Sequence, residues 1–74
     1  MTRIEKNTFG ERLYNRIIEI YGSKNSFCNV TGIRRNTIDC YCKNKRHPNT
    51  LILAEMCKKL DVSADYLLFG KEQN

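Results

Sequence analysis

The sequence predicts an all-α protein with five short helices in a single domain. Apolar residues recur at intervals of three and four, and no segment alternates at a period of two for long enough to form a strand. Thr, Ser or Asn precedes four of the five apolar stretches and glycine follows three of them, which is typical of helix ends. The 74 residues, with an apolar fraction of 41%, are sufficient for one folded domain.

The first helix is predicted over Phe9–Tyr21, after a polar leader of residues 1–7. Residues 8–11 (TFGE) have the form of a capping box, and Gly22 suits the left-handed conformation that ends a helix. The side expected to face the core carries Phe9, Leu13, Ile17, Ile20 and Tyr21, and the opposite, solvated side carries Arg12, Arg16 and Glu19.

The second and third helices are predicted over Lys24–Thr31 and residues 34–42. The second segment has weak intrinsic helix propensity, so its helix is expected to depend on packing. Gly32 ends it, and Ile33 is expected to fill the angle between the two helices. The residues expected to face inward are Phe27, Cys28, Val30 and Thr31 from the second helix and Ile38, Tyr41 and Cys42 from the third.

The fourth and fifth helices are predicted over Thr50–Leu60 and residues 64–68. Asn49 and Ser63 precede them as the expected N-caps. The domain is therefore predicted over residues 8–70, with a polar tail at residues 71–74. The apolar stripe expected on the fourth helix consists of Leu53, Met56, Cys57 and Leu60.

The positive charge of the chain is concentrated in residues 24–48. This segment contains six of the thirteen Lys and Arg residues and one acid, so its charge of +5 equals that of the whole chain. A basic excess confined to one third of a small domain favours binding to a polyanion such as nucleic acid. At its end, residues 43–48 form a basic loop, in which Asn44 suits a positive φ and Pro48 stops helix continuation.

The chain is expected to be soluble and cytoplasmic, without a membrane partner. No apolar run approaches the length of a membrane span, and the N-terminus lacks the apolar region of a signal peptide. The four cysteines are therefore expected as reduced thiols, chiefly in the helical core. They contain no CxxC pair and His47 is the only histidine, so no metal site is predicted. A redox role would require oxidation of an exposed Cys40 between two molecules.

No arrangement of residues predicts an enzyme or a cofactor site. A catalytic nucleophile needs an adjacent base and an orienting group, whereas His47 stands alone in the basic loop. The eight carboxylates are scattered along the chain, and each of the four glycines falls near a predicted helix end. The chain is therefore expected to be non-enzymatic and to require no cofactor.

The second and third predicted helices, joined at Gly32, have the arrangement of a DNA-binding helix-turn-helix. In such a unit the second helix enters the major groove and its N-terminal side chains reach the base edges. Arg35 can donate to guanine, Asn36 can pair with adenine and Asp39 can accept from cytosine N4. Thr37 can contact a thymine methyl group or a phosphate.

An ordered set of residues matches a known family at the family's own spacing. It comprises Thr31-Gly32-Ile33, Thr37-Ile38, Tyr41, Lys45-Arg46-His47-Pro48, Leu53, Met56, Leu60 and the segment VSADYLL at 62–68. With these residues, positions 23–68 resemble the Cro/C1-type (XRE) helix-turn-helix family of phage and bacterial repressors. The resemblance covers more than 60% of the chain. It implies a five-helix, lambda-repressor-like DNA-binding domain in which the second and third helices form the reading unit.

The resemblance and the charges of nearby residues together predict two groups of site residues. The predicted base-reading residues are Arg35, Asn36, Thr37, Asp39 and Cys40. The predicted phosphate-binding residues, which would set the register on DNA, are Lys24, Arg34, Lys43, Asn44, Lys45 and Arg46. Arg34 could also serve in base reading.

The chain departs from the family pattern at several of its positions. Arg34 stands where Ser or Thr usually caps the third helix, so a side-chain cap worth about 1 kcal/mol is expected to be missing. Cys42 replaces a usual Glu, and an apolar contact with Ile17 is expected instead of an ion pair. Cys40 is an unusual residue at a base-reading position.

These observations predict a sequence-specific double-stranded DNA-binding protein, a small transcriptional repressor of phage, plasmid or mobile-element type. It is expected to bind a pseudo-palindromic operator as a homodimer, with half-sites about 34–36 Å apart. Tyr66, Leu68 and Phe69 are the candidate dimer surface, and Leu67 is expected in the core. The alternative is an antitoxin-like or other protein-interaction module whose main partner is another protein.

Overall fold

The structure, a computed structural model, describes residues 8–70. Within this range it contains no strand and five α-helices, namely α1 (Phe9–Tyr21), α2 (Lys24–Thr31), α3 (Arg35–Cys42), α4 (Thr50–Leu60) and α5 (Ala64–Phe69). The predicted all-α class and the number of helices are therefore confirmed. The predicted leader and tail lie outside the described residues. None of the helices in residues 8–70 has the length and apolarity needed to span a membrane.

Side-chain caps explain where most of the helices begin. The side-chain oxygens of Thr8, Ser23, Asn49 and Ser63 each accept a hydrogen bond from a backbone N–H group in the first turn of the helix that follows. Helix α3 is the exception, because its N-cap is Arg34, which makes no side-chain cap hydrogen bond. The missing cap is thus confirmed, although α3 begins at Arg35 rather than Arg34. Helix α5 runs one residue beyond the predicted end.

The core lies around α1, which contacts each of the other four helices. The partly buried Cys28, Cys42 and Cys57 pack against this core, as does Ile33 between α2 and α3, so their predicted inward positions are confirmed. Leu67 is also buried, as expected. The buried apolar residues are Phe9, Leu13, Ile17, Phe27, Ile38, Tyr41, Met56, Leu60 and Leu67.

Two predicted core residues are exposed instead. Ile20 is 41% exposed and Val30 is 46% exposed. In the last turn of α1, the aromatic ring of Tyr21 packs inward at 5.4 Å from that of Phe27 and leaves Ile20 outside. In the last turn of α2, Val30 points to solvent, whereas the neighbouring Thr31 is half-buried. The Thr31 hydroxyl donates to the carbonyl oxygen of Phe27, one turn earlier, at 2.9 Å.

Arg12, predicted on the solvated side of α1, is buried. Its exposure is only 6%, and its guanidinium Nε and Nη2 donate to the carbonyl oxygen of Leu67 at 3.1 and 2.9 Å. This carbonyl lies near the C-terminal end of α5, where the helix has carbonyl groups without intrahelical partners. The guanidinium therefore satisfies an acceptor of α5 and attaches that helix to α1.

The loop after α3 is fixed against the start of α1 through Gly10. The backbone N–H of Gly10 donates to the side-chain oxygen of Asn44 at 2.9 Å, and Asn44 has the predicted positive φ, at 63°. A Cβ atom on residue 10 would overlap the carbonyl oxygen of Cys42 and lie 2.9 Å from that of Tyr41. The absence of a side chain at Gly10 thus permits the close approach of α1 and α3 and positions the basic loop.

Candidate nucleic-acid interface

Helices α2 and α3 are joined by residues 32–34 and pack against each other. Gly32 ends α2 in the left-handed conformation, at φ 78°. The backbone N–H of Ile33 then donates to the Thr31 hydroxyl at 3.2 Å, which fixes the direction in which the chain leaves the turn. Phe27 of α2 and Ile38 of α3 are both fully buried, so the core determines how the two helices lie against each other.

The start of α3 presents positive charge that is only partly balanced, because Arg35 lies 3.4 Å from Asp39 whereas Arg34 forms no ion pair with another described residue. Arg34, Arg35 and Asn36 are exposed, and no acidic residue lies in the first turn. The N-terminus of a helix already carries a partial positive charge from its unpaired N–H groups, so cations there are unfavourable unless an anion binds. This end of α3 is therefore suited to a negatively charged ligand.

A network of polar contacts links the start of α2 to α3. The ammonium group of Lys24 lies 2.6 Å from Oδ1 of Asp39, and Nε of Arg35 lies 3.4 Å from the same oxygen. Nη1 of Arg35 also donates to Oδ1 of Asn25 at 2.7 Å. On its other side, the Lys24 ammonium lies 5.4 Å from the centre of the Tyr14 ring. One carboxylate thus serves two cations at the centre of the predicted site.

The charge of Asp39 is stabilised by this network. The hydrogen bond from Lys24, assisted by that from Arg35, lowers the pKa of Asp39 below its usual range, against the opposing effect of burial. Asp39 is therefore ionised at neutral pH. Its carboxylate balances part of the positive charge contributed by Lys24 and Arg35.

The predicted base-reading residues differ in their accessibility. Arg35 and Asn36 are exposed, whereas Thr37, Asp39 and Cys40 are half-buried. The carboxylate of Asp39 is already paired with Lys24. Cys40, expected to be exposed, is half-buried, and its backbone carbonyl accepts a hydrogen bond from the N–H of Lys45 at 2.9 Å. Arg35 and Asn36 are thus the side chains best presented for contact with a ligand.

The predicted phosphate-binding residues lie in two places. Lys24 is half-buried at the start of α2 and belongs to the network with Asp39 and Arg35. The other five residues are exposed at the two ends of α3. Four of these five are cations, and none of the four forms an ion pair with another residue in the described range. Those exposed residues are Arg34, Lys43, Asn44, Lys45 and Arg46.

Three of the four cysteines have the properties of partly buried structural thiols. All four are free, and burial raises the pKa of Cys28, Cys42 and Cys57, that of Cys42 to about 11. These three thiols are therefore protonated at neutral pH and weakly nucleophilic. Between residues 8 and 70, no group of three or more His, Cys, Asp or Glu side chains is placed to hold a metal ion.

The sequence pattern does not predict that Tyr14 and Asn25 belong to this site. Tyr14 on α1 and Asn25 on α2 line an open depression of about 370 Å³ together with Lys24 and Arg35. Each makes its contact with a residue ten positions away in the chain, Tyr14 with Lys24 and Asn25 with Arg35. Helical periodicity identifies neighbours three or four positions apart, so it cannot identify these contacts between helices.

Comparisons of the chain with protein-family models, with curated proteins and with solved structures find no match in any of the three. The Cro/C1-type resemblance therefore depends on the residues quoted above, and the function has to be inferred from the geometry and charge of the site.

Proposed function

We propose that this chain is a sequence-specific double-stranded DNA-binding protein in which α2 and α3 act as a helix-turn-helix. The observation that carries this proposal is the start of α3, where Arg34, Arg35 and Asn36 are exposed, no side chain caps the helix and the first turn contains no acidic residue. Asp39, one turn later, balances only part of the charge. A helix start of this kind is electrostatically unfavourable in the free protein and favourable against a polyanion.

The dimensions of α3 suit insertion into the major groove. An α-helix with its side chains is about 10–12 Å in diameter, and the major groove of B-DNA, about 12 Å wide, admits one helix. With the N-terminal end of α3 directed at the bases, Arg35 would donate to guanine O6 and N7. Asn36 would pair with adenine, and Thr37 would contact a thymine methyl group or a phosphate.

Phosphate contacts would come mainly from the loop after α3. Lys43, Lys45 and Arg46 are exposed and make no ion pair with other described residues, so their charges are available to an anion. The contact of Asn44 with Gly10 fixes this loop relative to α1. The loop can therefore set the register of the protein on DNA without contributing sequence information.

The biological role that follows is transcriptional repression by occlusion of an operator. A single small DNA-binding module buries about 600–1,000 Å² of its surface, which is less than most tight specific complexes require. We therefore propose a homodimer on a pseudo-palindromic operator. The exposed side chains of Leu68 and Phe69 at the end of α5 are the proposed contact between the two copies.

The test is the salt dependence of binding to duplex DNA, measured by gel shift. About four phosphate contacts per protomer would give a slope of log K against log salt of about −3 to −4 per protomer bound. These contacts would come from the exposed cations that form no ion pair with another described residue, Arg34, Lys43, Lys45 and Arg46. Binding that does not weaken with salt, or that is equal for duplex DNA and an uncharged polymer, would contradict the proposal.

A protein-interaction module, such as an antitoxin, is the second candidate. It is favoured by large exposed apolar side chains on α4 and α5, with Leu51 81% exposed and Phe69 67% exposed. The two functions differ in their dependence on α3. Substitution of Arg35 should relax sequence preference at one base pair of each half-site, whereas binding of a protein at Leu51 or Phe69 should be unaffected by it.

A further inference from the structure

The carboxylate of Asp39 is positioned to control the two cations nearest to it. It links α2 to α3, since Lys24 is the first residue of α2 and lies 2.6 Å from Oδ1 of Asp39. The two side chains are only 19% and 29% exposed, so their pairing is more persistent than that of an ion pair on the open surface. The Lys24 ammonium is thereby drawn toward Asp39 and away from solvent.

The Asp39 carboxylate and the Asn25 side chain hold Arg35 through two of its nitrogen atoms, Nε and Nη1. Nε faces Asp39 at 3.4 Å and Nη1 donates to Asn25 at 2.7 Å. A guanidinium has five N–H groups, so three of the five remain without a partner within the described chain. A fork onto guanine O6 and N7 requires two of them. Arg35 is therefore held in place while its donors for base recognition remain available.

Asp39 also reduces the positive charge that can neutralise DNA phosphates, whatever the base sequence. Non-specific affinity grows with the number of cations free to neutralise phosphates. Lys24, Arg34 and Arg35 would offer three such charges around the start of α3, and the Asp39 carboxylate offsets one of them. A carboxylate near a polyanion weakens binding to DNA of any sequence, so Asp39 lowers non-specific affinity.

We infer that Asp39 is a positioning residue that determines specificity: it holds Lys24 and Arg35 so that DNA is bound through the base-contacting donors of Arg35 rather than through non-specific phosphate contacts. This differs from the expectation that Asp39 itself reads a cytosine. The inference rests on the proposed function, and it adds Asn25 as a second positioning residue for Arg35.

The test compares four full-length proteins on a DNA site that the wild type selects from a random pool. They are the wild type, Asp39→Asn, Asn25→Ala and the control Asp65→Asn, which makes the same change of charge at an exposed position of α5. Affinities for the selected site and for random duplex are measured over a salt series, and thermal unfolding establishes that each variant is folded.

Asp39→Asn should bind random duplex more tightly and steepen its salt slope by about one, because Lys24 gains a phosphate. Its ratio of selected-site to random-duplex affinity should fall tenfold or more. Asn25→Ala should lower the same ratio without changing the slope, because it removes no charge. Asp65→Asn should retain the wild-type ratio.

A wild-type ratio in Asp39→Asn, or equal behaviour of Asp39→Asn and Asp65→Asn, would overturn the inference while leaving the proposed function standing. Failure of the wild type to select any sequence would overturn the proposed function first. If Asp39→Asn does not fold, Asn25→Ala decides: an unchanged ratio in that variant overturns the positioning of Arg35.

Discussion

Arg35 has the side chain on which sequence preference should depend most directly. Replacing it with Ala removes the donors that would fork onto a guanine, so binding to the preferred site should weaken by about 1–3 kcal/mol, with relaxed preference at one base pair. Gel shifts on the preferred site and on single-base variants of it measure both effects.

Lys43→Ala is the matched control, because Lys43 is also an exposed cation but lies in the loop after α3. It should weaken binding to all sequences evenly and make the salt slope shallower by about one. Equal losses on the preferred site and on random DNA for Arg35→Ala would disprove base reading by Arg35.

Cys42 should be chemically inert in the folded protein. Its burial raises its pKa to about 11, so little thiolate exists at neutral pH, whereas an unperturbed cysteine has a pKa near 8.5. Alkylation of Cys42, followed by peptide mass mapping, should therefore be at least about tenfold slower in the native protein than in urea. Similar rates in the two states would contradict the buried position of this thiol.

At the level of single residues, the sequence predicts which side chains suit contact with a ligand better than it predicts which side chains pair with each other. The basic segment of residues 24–48 pointed to Arg35 and Asn36, and both are exposed as a ligand contact requires. The sequence pattern does not indicate that Asp39 pairs with Lys24 fifteen positions away. Such a contact depends on how α2 and α3 are packed, and the spacing of residues within one helix carries no information about it.

The contact between α1 and α3 depends on the absence of a side chain at Gly10. Ala in place of Gly normally stabilises a helix by about 0.5–1 kcal/mol. At this position the added Cβ would meet the backbone carbonyls of Cys42 and Tyr41, which cannot rotate away. Gly10→Ala should therefore lower the free energy of unfolding by about 1–3 kcal/mol, as measured by urea denaturation.

Asn15→Ala is the control for this substitution, because Asn15 is an exposed residue of the same helix. Helix propensity alone should make it neutral or slightly stabilising. A Gly10→Ala protein as stable as Asn15→Ala would show that the close approach of α1 to α3 is not required.

At the level of elements, local sequence signals predict where the helices begin and end, but they do not always predict which side chains of a helix are buried. Caps such as Ser23 and Asn49 act within one turn, so they can be read directly from the sequence. The burial of Arg12 could not be predicted in this way, because it depends on the backbone carbonyl of Leu67 in α5, 55 positions away. The prediction that Ile20 faces the core is wrong for a similar reason, since Tyr21 takes the inward position beside Phe27.

For the whole molecule, the proposed homodimer leads to a prediction at the end of α5. Phe69→Ser should weaken binding to DNA with two half-sites by about tenfold or more and leave binding to a single half-site unchanged. The physical reason is that Phe69, 67% exposed, lies outside the core and is accessible for the proposed contact between copies. Gel shifts on the two DNA designs measure the difference.

Leu51→Ser is the matched control, because Leu51 is 81% exposed on a different helix. It should affect neither DNA design. If Leu51→Ser, rather than Phe69→Ser, weakens binding to the two-site DNA, the contact between copies lies on α4 and the assignment to α5 is wrong.

Selection of bound sites from a random pool of duplex DNA tests the central claim most directly. The wild type should enrich a pseudo-palindrome whose half-site centres lie about 10 base pairs apart. The Arg35→Ala protein should lose the preference at one position of each half-site. A wild-type pool that stays as random as the starting DNA, or one that Arg35→Ala enriches identically, would contradict sequence-specific recognition through α3.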